Sequence, residues 1–538
     1  MTDRKMLDSI VGSQASSDLM NAMQGGASRR DVLGMLLAGG MRASLAGSLA
    51  LTAVSAHAQT PRRGGHLRVA GQTDSVNSTL DPAKSSNQAD YCRCFMLYNG
   101  LSTLDGTLTP RPELAEAFNT DDARTWVFTL RKGVRFHDGS ALTPQDVVFS
   151  LMRLKDPATA SPAKVLADQI SEVKASGPSE VTVVLGAPNA DLPAILGTFQ
   201  FLIVKAGTKN FNAGIGTGPF KLKEFQPGVR SLVVRNDQYW KPGQPYLDSI
   251  EYVGIGDDNA RVNALLSGQM DLIGAIKPYA VPRVRSTPGY EVFVTHCGKY
   301  TDLIMREDVA PGSHPDFVLA MKYLQNRSLM QKSITQGYSV LGNDQPIDPT
   351  NRFYFAGLPQ RPYDPDKARF HLKKSGVTGT IPVVASPAAD YSVEMAVVMQ
   401  QAARGIGLKL DVRRMPADGY WSTYWLTSAV GFGNINARPT ADMLLTQFFK
   451  SDARWNESRW KSPKFDQLLV AARAETDLAK RKRMYADMQT MIHDQAGIGI
   501  PLFLDSLDAH SSKLKGMSPI PIAGLMGYNF ADHVWFEA

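Results

Sequence analysis

From residue 66 onward apolar and polar positions alternate in short blocks whose period switches between two and about 3.6. Residues 67–70, 126–130, 181–185 and 291–294 carry the two-residue period of strands. Residues 220–222 and 232–234 predict two strands folded about Pro227-Gly228, and residues 271–273 begin another. Helical spacing marks residues 89–101, 259–266, 315–337, 366–376 and 465–493. A strand at 381–385, a helix at 392–404 and a strand at 408–412 follow in the order of a parallel strand–helix–strand unit. The apolar run at 498–503 fits a buried strand. The fold class that follows is α/β, with partly parallel sheets covered by helices.

The fullest local specification lies between residues 134 and 154. Residues 134–136 can extend as a strand, and His137-Asp138-Gly139-Ser140 supplies a turn in which Gly139 is free to take positive φ. Thr143 is placed as a helix N-cap, Pro144 at the first helical position and Asp146 as the partner in a capping box. Val147, Val148, Leu151 and Leu154 give that helix one apolar face.

The first 58 residues are patterned differently. Arg29-Arg30 precedes a weakly apolar, Gly/Ala-rich stretch at 32–54, and Ala56-His57-Ala58 offers the small residues a signal peptidase accepts. This order resembles a twin-arginine export signal, residues 1–58, cleaved after Ala58. A membrane anchor is the competing reading, opposed by Arg42 and by Gly34, Gly39, Gly40 and Gly47 inside the run. No later segment approaches spanning length, so a soluble exported protein is expected.

Composition adds little to this. Hydrophobic residues make up 43% and charged residues 20%, as in ordinary globular proteins. The net charge of +7 comes without a Lys/Arg run, and Arg62-Arg63 and Lys373-Lys374 read as solvated surface, so no nucleic-acid partner is expected. Of the three cysteines, Cys92 and Cys94 would close a very small, strained ring. Any disulfide would therefore join Cys297 to one of them and leave one thiol free, but three buried, apolar cysteines are the reading expected. Cys92-x-Cys94 has no Cys/His neighbours to complete a metal site, and the nine histidines lack ligand spacing. G-x-S-x-G and H-E-x-x-H are both absent. No metal, no cofactor and no catalytic residue is expected, a secreted hydrolase of unfamiliar design being the alternative from another class.

Several motifs occur in a fixed order: Gly64-Gly65-His66-Leu67-Arg68-Val69, Leu80-Asp81-Pro82, Tyr98-Asn99-Gly100-Leu101 and Pro112-Glu113-Leu114-Ala115. Leu130-Arg131-Lys132-Gly133-Val134-Arg135-Phe136-His137-Asp138-Gly139 follows, then Gly216-Thr217-Gly218-Pro219-Phe220, Asn236-Asp237-Gln238-Tyr239-Trp240 and Tyr363-Asp364-Pro365-Asp366-Lys367-Ala368. The set resembles the oligopeptide-, dipeptide- and nickel-binding receptors of ABC importers, family 5 of the bacterial extracellular solute-binding proteins, and covers essentially the whole chain after the leader. The resemblance implies a bilobal periplasmic-binding-protein fold of type II with two crossover hinge segments. It places lobe I at residues 59–296 with an inserted subdomain at about 101–215, lobe II at 297–503, and a return to lobe I at 504–538. It also implies a periplasmic monomer that catalyses nothing, with a small molecule or short peptide as ligand and the inner-membrane permease subunits as partners. The implied ligand is a peptide-like or amino-acid-derived solute whose capture favours the closed state; nickel, a metal chelate or haem is the alternative.

In that family lobe I contributes a loop soon after Leu-Asp-Pro, here Ser85-Ser86-Asn87, so Ser86 and Asn87 are candidates, with a solvated polar loop as the other reading. Lobe II contributes an aromatic and then an Asp that pairs with a peptide's α-ammonium. Here Gly431-Phe432-Gly433-Asn434-Ile435-Asn436-Ala437-Arg438 keeps the aromatic as Phe432 but has Ile435 about where the Asp is expected. Asn434, Asn436 and Arg438 suit a carboxylate or phosphate better than a free amine. The expected ligand-binding set is Ser86, Asn87, Phe432, Asn434, Asn436 and Arg438, for a solute with an anionic group. Pro439-Thr440-Ala441-Asp442 reads as a helix start, with Asp442 at its positive end. Tyr420, Trp421, Tyr424 and Trp425, at helical spacing, read as core more than as pocket wall. His137-Asp138 and Gly216-Thr217-Gly218 read as backbone needs, since no Lys-Ser/Thr follows the glycines as a phosphate loop requires.

Overall fold

The strand-patterned segments collect into three main sheets in the computed structural model, which describes residues 61–537; the expected leader, 1–58, lies outside these residues. The first sheet has seven strands in the order Tyr290–Thr295, Ser506–Ser511, Leu272–Ile273, His66–Gly71, Ser249–Gly254, Arg230–Arg235 and Phe220–Gln226. His66–Gly71 runs parallel to both neighbours, and the outer pairings are antiparallel. The second sheet orders Ser339–Leu341, Ile498–Leu504, Tyr300–Met305, Val430–Ile435, Thr380–Ala385 and Lys409–Arg414. Its last two strands are parallel and joined by the helix Ser392–Arg404, the unit expected from the 381–412 pattern.

The third sheet pairs Ala115–Asn119, Thr125–Leu130, Glu180–Leu185 and Ile170–Gly177 antiparallel. Phe128, Leu130, Val147, Leu151, Val181 and Val183 build its own core. It is inserted between strands of the first sheet, whose separate core holds Leu67, Val69, Ile250, Tyr252 and Leu272. The result is a bilobal α/β fold. The first sheet and its insertion form lobe I, and the second sheet forms lobe II. Among the described residues no helix is long and apolar enough to cross a membrane.

Local chemistry explains where elements begin. Asp146 accepts hydrogen bonds from the Thr143 backbone N–H and hydroxyl, each at 2.7 Å, and so opens the helix Pro144–Arg153. Residues 134–136 do not form the expected strand. They make one isolated bridge, Arg135 to Ala141, flanked by hydrogen bonds from Phe136 N to Ser140 O and from Leu142 N to Val134 O. The helical run at 315–337 is two helices, Pro315–Tyr323 and Arg327–Ser333, since Asn326 caps a new start. The run at 465–493 likewise divides into Pro463–Ala474 and Leu478–Gln495, with Asp477 as the second cap.

His137 lies between two of the sequence motifs. Its Nε2 is 3.0 Å from the Gly218 carbonyl oxygen, and its Nδ1 is 3.2 Å from the Gly216 N–H donor and 3.1 Å from the Gly214 oxygen. The ring thus fastens the Gly214–Gly218 loop, which in turn donates from Gly218 N to Leu97 O at the end of the helix Gln88–Leu97.

Lobe II is centred on one buried carboxylate. Asp344 accepts from Arg327 Nη2 at 2.7 Å, Arg361 Nε at 2.9 Å and the Ile500 N–H at 3.0 Å. Burial alone would raise its pKa, but the charges of Arg327, Lys322 and Arg361 prevail and hold it below the ordinary carboxylate value. Asp344→Ala leaves two buried guanidiniums uncompensated. It is expected to cost about 3–5 kcal/mol of stability in urea unfolding.

Candidate functional site

Two short segments carry the chain between the lobes, side by side. Residues 296–299 lead from Tyr290–Thr295 to Tyr300–Met305, and Asp505 leads from Ile498–Leu504 back to Ser506–Ser511. Leu504 N donates to Lys299 O at 2.7 Å, and His296 Nδ1 lies 2.7 Å from Asp505 Oδ1. The Cys297 thiol donates to Leu504 O at 3.4 Å. Cys92, Cys94 and Cys297 are buried free thiols, the expected apolar arrangement, and no disulfide joins Cys297 to either of the others. Cys92 and Cys94 sit within a helix in the lobe I core, while Cys297 is committed to the crossing. Burial pushes all three thiols up in pKa.

The lobes touch on either side of these crossings. On one side Asp390 of lobe II accepts from Lys299 at 2.5 Å and faces Lys277 of lobe I at 3.7 Å. On the other, Asp191 of the insertion is fully buried and takes Arg481 in a two-point contact at 2.7 and 2.6 Å, with Arg352 at 3.2 Å. Burial raises the Asp191 pKa, but the guanidiniums overcome that and hold it low. Met443 of lobe II packs into the core of the insertion, and Ala190 N donates to Arg473 O at 2.8 Å. Between these contacts Leu108 of the insertion faces residues 351–353 and 439–441 of lobe II across a small crevice.

The candidate residues fall into two groups. Ser86 and Asn436 are exposed, and their side chains make no hydrogen bond to the described chain. Asn434 is half-buried and donates to Thr301 Oγ1 at 2.9 Å. Arg438 is half-buried, donates to Gln447 Oε1 at 2.8 Å and to Asn436 O at 2.9 Å, and lies over the Phe448 ring. It pairs with no carboxylate among the described residues, and its Nη2 makes no hydrogen bond to them. Asn87 and Phe432 are occupied by the fold. Asn87 caps the helix Gln88–Leu97, its amide meeting Asp90 at both ends, and the Phe432 ring is 2% exposed among Leu303, Val383 and Leu410. Asp442 lies in the first turn of the helix Ala441–Phe448, capped by Thr440, and binds Arg473 at 3.0 Å.

The aromatic run is divided. Tyr420 is buried and donates from its hydroxyl to Phe432 O at 2.8 Å, whereas Trp421 is 40% exposed. Trp425 donates to Glu457 Oε1 at 2.5 Å. Glu457 faces Asp302, whose two oxygens are fully buried. Both carboxyls flank Gly433, where an added Cβ would lie 2.2 Å from Glu457 and 2.7 Å from Asp302. Nothing local in the sequence announces this pair, since Asp302 and Glu457 come from distant segments.

Residues 109–456 match the model of the bacterial extracellular solute-binding proteins, family 5 middle region. This chain belongs to that family. The family 5 receptor is 26% identical over 476 residues to the glutathione-binding protein GsiB of Escherichia coli O6:K15:H31 (strain 536 / UPEC), covering 85% of this chain and 92% of that one. Its fold is similar to that of the Helicobacter pylori periplasmic binding protein DppA in complex with the peptide STSA, at TM-score 0.72 and 24% identity, covering 89% and 99% of the two chains. It is similar also to Campylobacter jejuni NikZ in complex with Ni(L-His), at TM-score 0.73 and 20% identity, covering 88% and 99%. In a receptor of this kind the solute lies between the lobes, so contacts that differ between open and closed forms control capture.

Two expectations follow for the receptor. Asp191→Asn removes the counter-charge of Arg481 and Arg352 and is expected to weaken the docking of the insertion on lobe II by about 3–5 kcal/mol. Small-angle scattering of the ligand-free protein should then give a larger radius of gyration than wild type. The second concerns the acid pair. Burial lifts the pKa of Asp302 to about 6 and that of Glu457 well above the ordinary value, and the Asp302 charge raises Glu457 further, so the fold keeps a proton that the unfolded chain releases above about pH 4. The stability this contributes is complete at low pH and is lost as pH rises through the raised folded value. Glu457→Gln, which retains an acceptor for Trp425, should raise the melting temperature at pH 8 and narrow the gap between pH 5 and pH 8.

Proposed function

We propose that this receptor captures a peptide-like or amino-acid-derived solute bearing an anionic group, and passes it unchanged to the permease of an ABC importer. Arg438 carries this reading. Burial lowers its pKa below the ordinary arginine value, yet no carboxylate compensates it within the described chain. A guanidinium held in this way gains most from a carboxylate that arrives with the ligand. Ser86 and Asn436 have unengaged polar side chains for further contacts, and Asn434 lies on the same strand and loop. Asn87 and Phe432 act one step back, by holding the helix start and the strand beneath them.

The relatives support the same class: glutathione, a peptide and a histidine complex of nickel are all amino-acid-derived and carry carboxylates. The receptor works by binding alone, as a monomer in the periplasm, after twin-arginine export and cleavage behind Ala58. An amino-acid–metal chelate is the second reading, favoured by the likeness to NikZ.

Mass spectrometry of the solute that co-purifies with the receptor from its native compartment should show a carboxylate-bearing compound. Arg438→Ala should weaken that compound about tenfold or more, near 1.4 kcal/mol, while leaving its neutral amide analogue unaffected. Equal affinity for both compounds in wild type and variant would remove Arg438 from the site.

A further inference from the structure

The Asp302–Glu457 pair borders the segment that carries four of the candidate residues. Asp302 stands opposite Gly433 in the antiparallel pairing of Tyr300–Met305 with Val430–Ile435. Glu457 reaches the same glycine from the segment between the helices Ala441–Phe448 and Pro463–Ala474. Both residues are buried, and among the described residues neither carboxyl pairs with a Lys, Arg or His. Two enclosed carboxyls without a counter-charge ionise together only at high cost, so one proton stays with them.

The charged groups nearest along the chain are engaged elsewhere. Arg306 binds Asp308 and the Thr427 carbonyl oxygen, Arg459 donates to Leu426 O, and Glu307 accepts from Gly497 N. The titratable groups that do face the pair are the phenols of Tyr300 and Tyr420, each within electrostatic reach of both carboxyls. Burial raises the pKa of both phenols, so they stay neutral while the carboxyls titrate. The remaining polar neighbour is the Trp425 indole, which donates to Glu457 Oε1.

The strand that carries Asp302 also positions a candidate side chain. Asn434 Nδ2 donates to Thr301 Oγ1 at 2.9 Å and to Tyr300 O at 3.3 Å. From Asn434 the chain continues through Ile435 and Asn436 to Arg438, whose charge reaches the Tyr300 phenol as those of Asp302 and Glu457 do. Gly433 is the point of contact between the acids and this segment, because a Cβ there would collide with both carboxyls. Loss of the shared proton sets two like charges against bare backbone. The carboxyls can part only by moving Gly433, Asp302 or Glu457, and a shift of either strand disturbs the hydrogen bonds of Asn434.

We propose that Asp302 and Glu457 form a proton-operated switch: one shared proton holds residues 430–438 in place for the solute, and its loss loosens them and weakens capture. The inference rests on the reading of residues 434–438 as part of the solute site, and it adds regulation by pH to that site. Its direction follows from the burial of the acids. Burial holds Asp302 at about 6, and burial with the Asp302 charge holds Glu457 well above the ordinary carboxylate value. The proton is therefore kept in mildly acid solution and lost as pH rises. Capture is strongest in acid and falls by at most about tenfold per pH unit once the proton has gone, the limit for one linked proton.

The test uses the full mature receptor, wild type and Glu457→Gln, stripped of endogenous solute by reversible unfolding and compared at pH 5.5 and pH 8.5. Glu457→Gln has no proton to lose, and Asp302→Asn replaces it if it does not refold. Hydrogen–deuterium exchange, corrected for the intrinsic effect of pH, reads the order of residues 430–438. Exchange there should be about tenfold faster at pH 8.5 than at pH 5.5 in wild type and equal at both in the variant. Calorimetric titration with glutathione, L-amino acids and di- and tripeptides reads capture. A member that binds at pH 5.5 should bind wild type about tenfold more weakly at pH 8.5, with the loss absent from the variant. Equal pH effects on exchange and affinity in wild type and variant would refute the switch and leave the receptor reading standing. Pair-dependent exchange with unchanged affinity would refute the link to capture. If no member binds at pH 5.5, the proposed solute class falls, and exchange alone decides whether the pair operates on the segment.

Discussion

The paired crossings between the sheets are the constraint on which the remaining structure depends. Two chain segments, tied by His296 to Asp505 and by Cys297 and Lys299 to Leu504, leave the lobes free to turn about one line and little else. Every contact between lobes therefore has a fixed partner when they meet. Asp191 reaches Arg481, Met443 enters the core of the insertion, and Lys277 faces Asp390. A floppy linker would need to specify those partners by affinity alone. Here geometry does most of the selection.

The distribution of charge complements this frame. Asp344 organises lobe II and Asp191 joins the insertion to it, each by guanidinium pairs that desolvation makes costly to break. Against that background, Arg438 stands out because no carboxylate among the described residues pairs with it. The same low-dielectric surroundings that strengthen a satisfied pair make an unsatisfied group receptive to a partner from outside.

Much of the architecture is legible in residue pattern. The helix Ser392–Arg404 and its flanking parallel strands follow from local periodicity, as does the hairpin about Pro227-Gly228. Periodicity misses the breaks at Asn326 and Asp477, where a cap interrupts apolar spacing that continues past it. The site is less legible. Val430–Ile435 is buried on both faces, so alternation cannot tell whether Phe432 points to a cleft or to the core. Asn87 illustrates a chemical ambiguity, since an amide after a turn serves equally as a ligand contact or a helix cap.

The three thiols lead to a last point. None joins another, and each is buried with its pKa raised, so no covalent closure has to await an oxidant. The polypeptide can reach its native arrangement under reducing or oxidising conditions alike. Its native packing thus makes no demand on the redox environment.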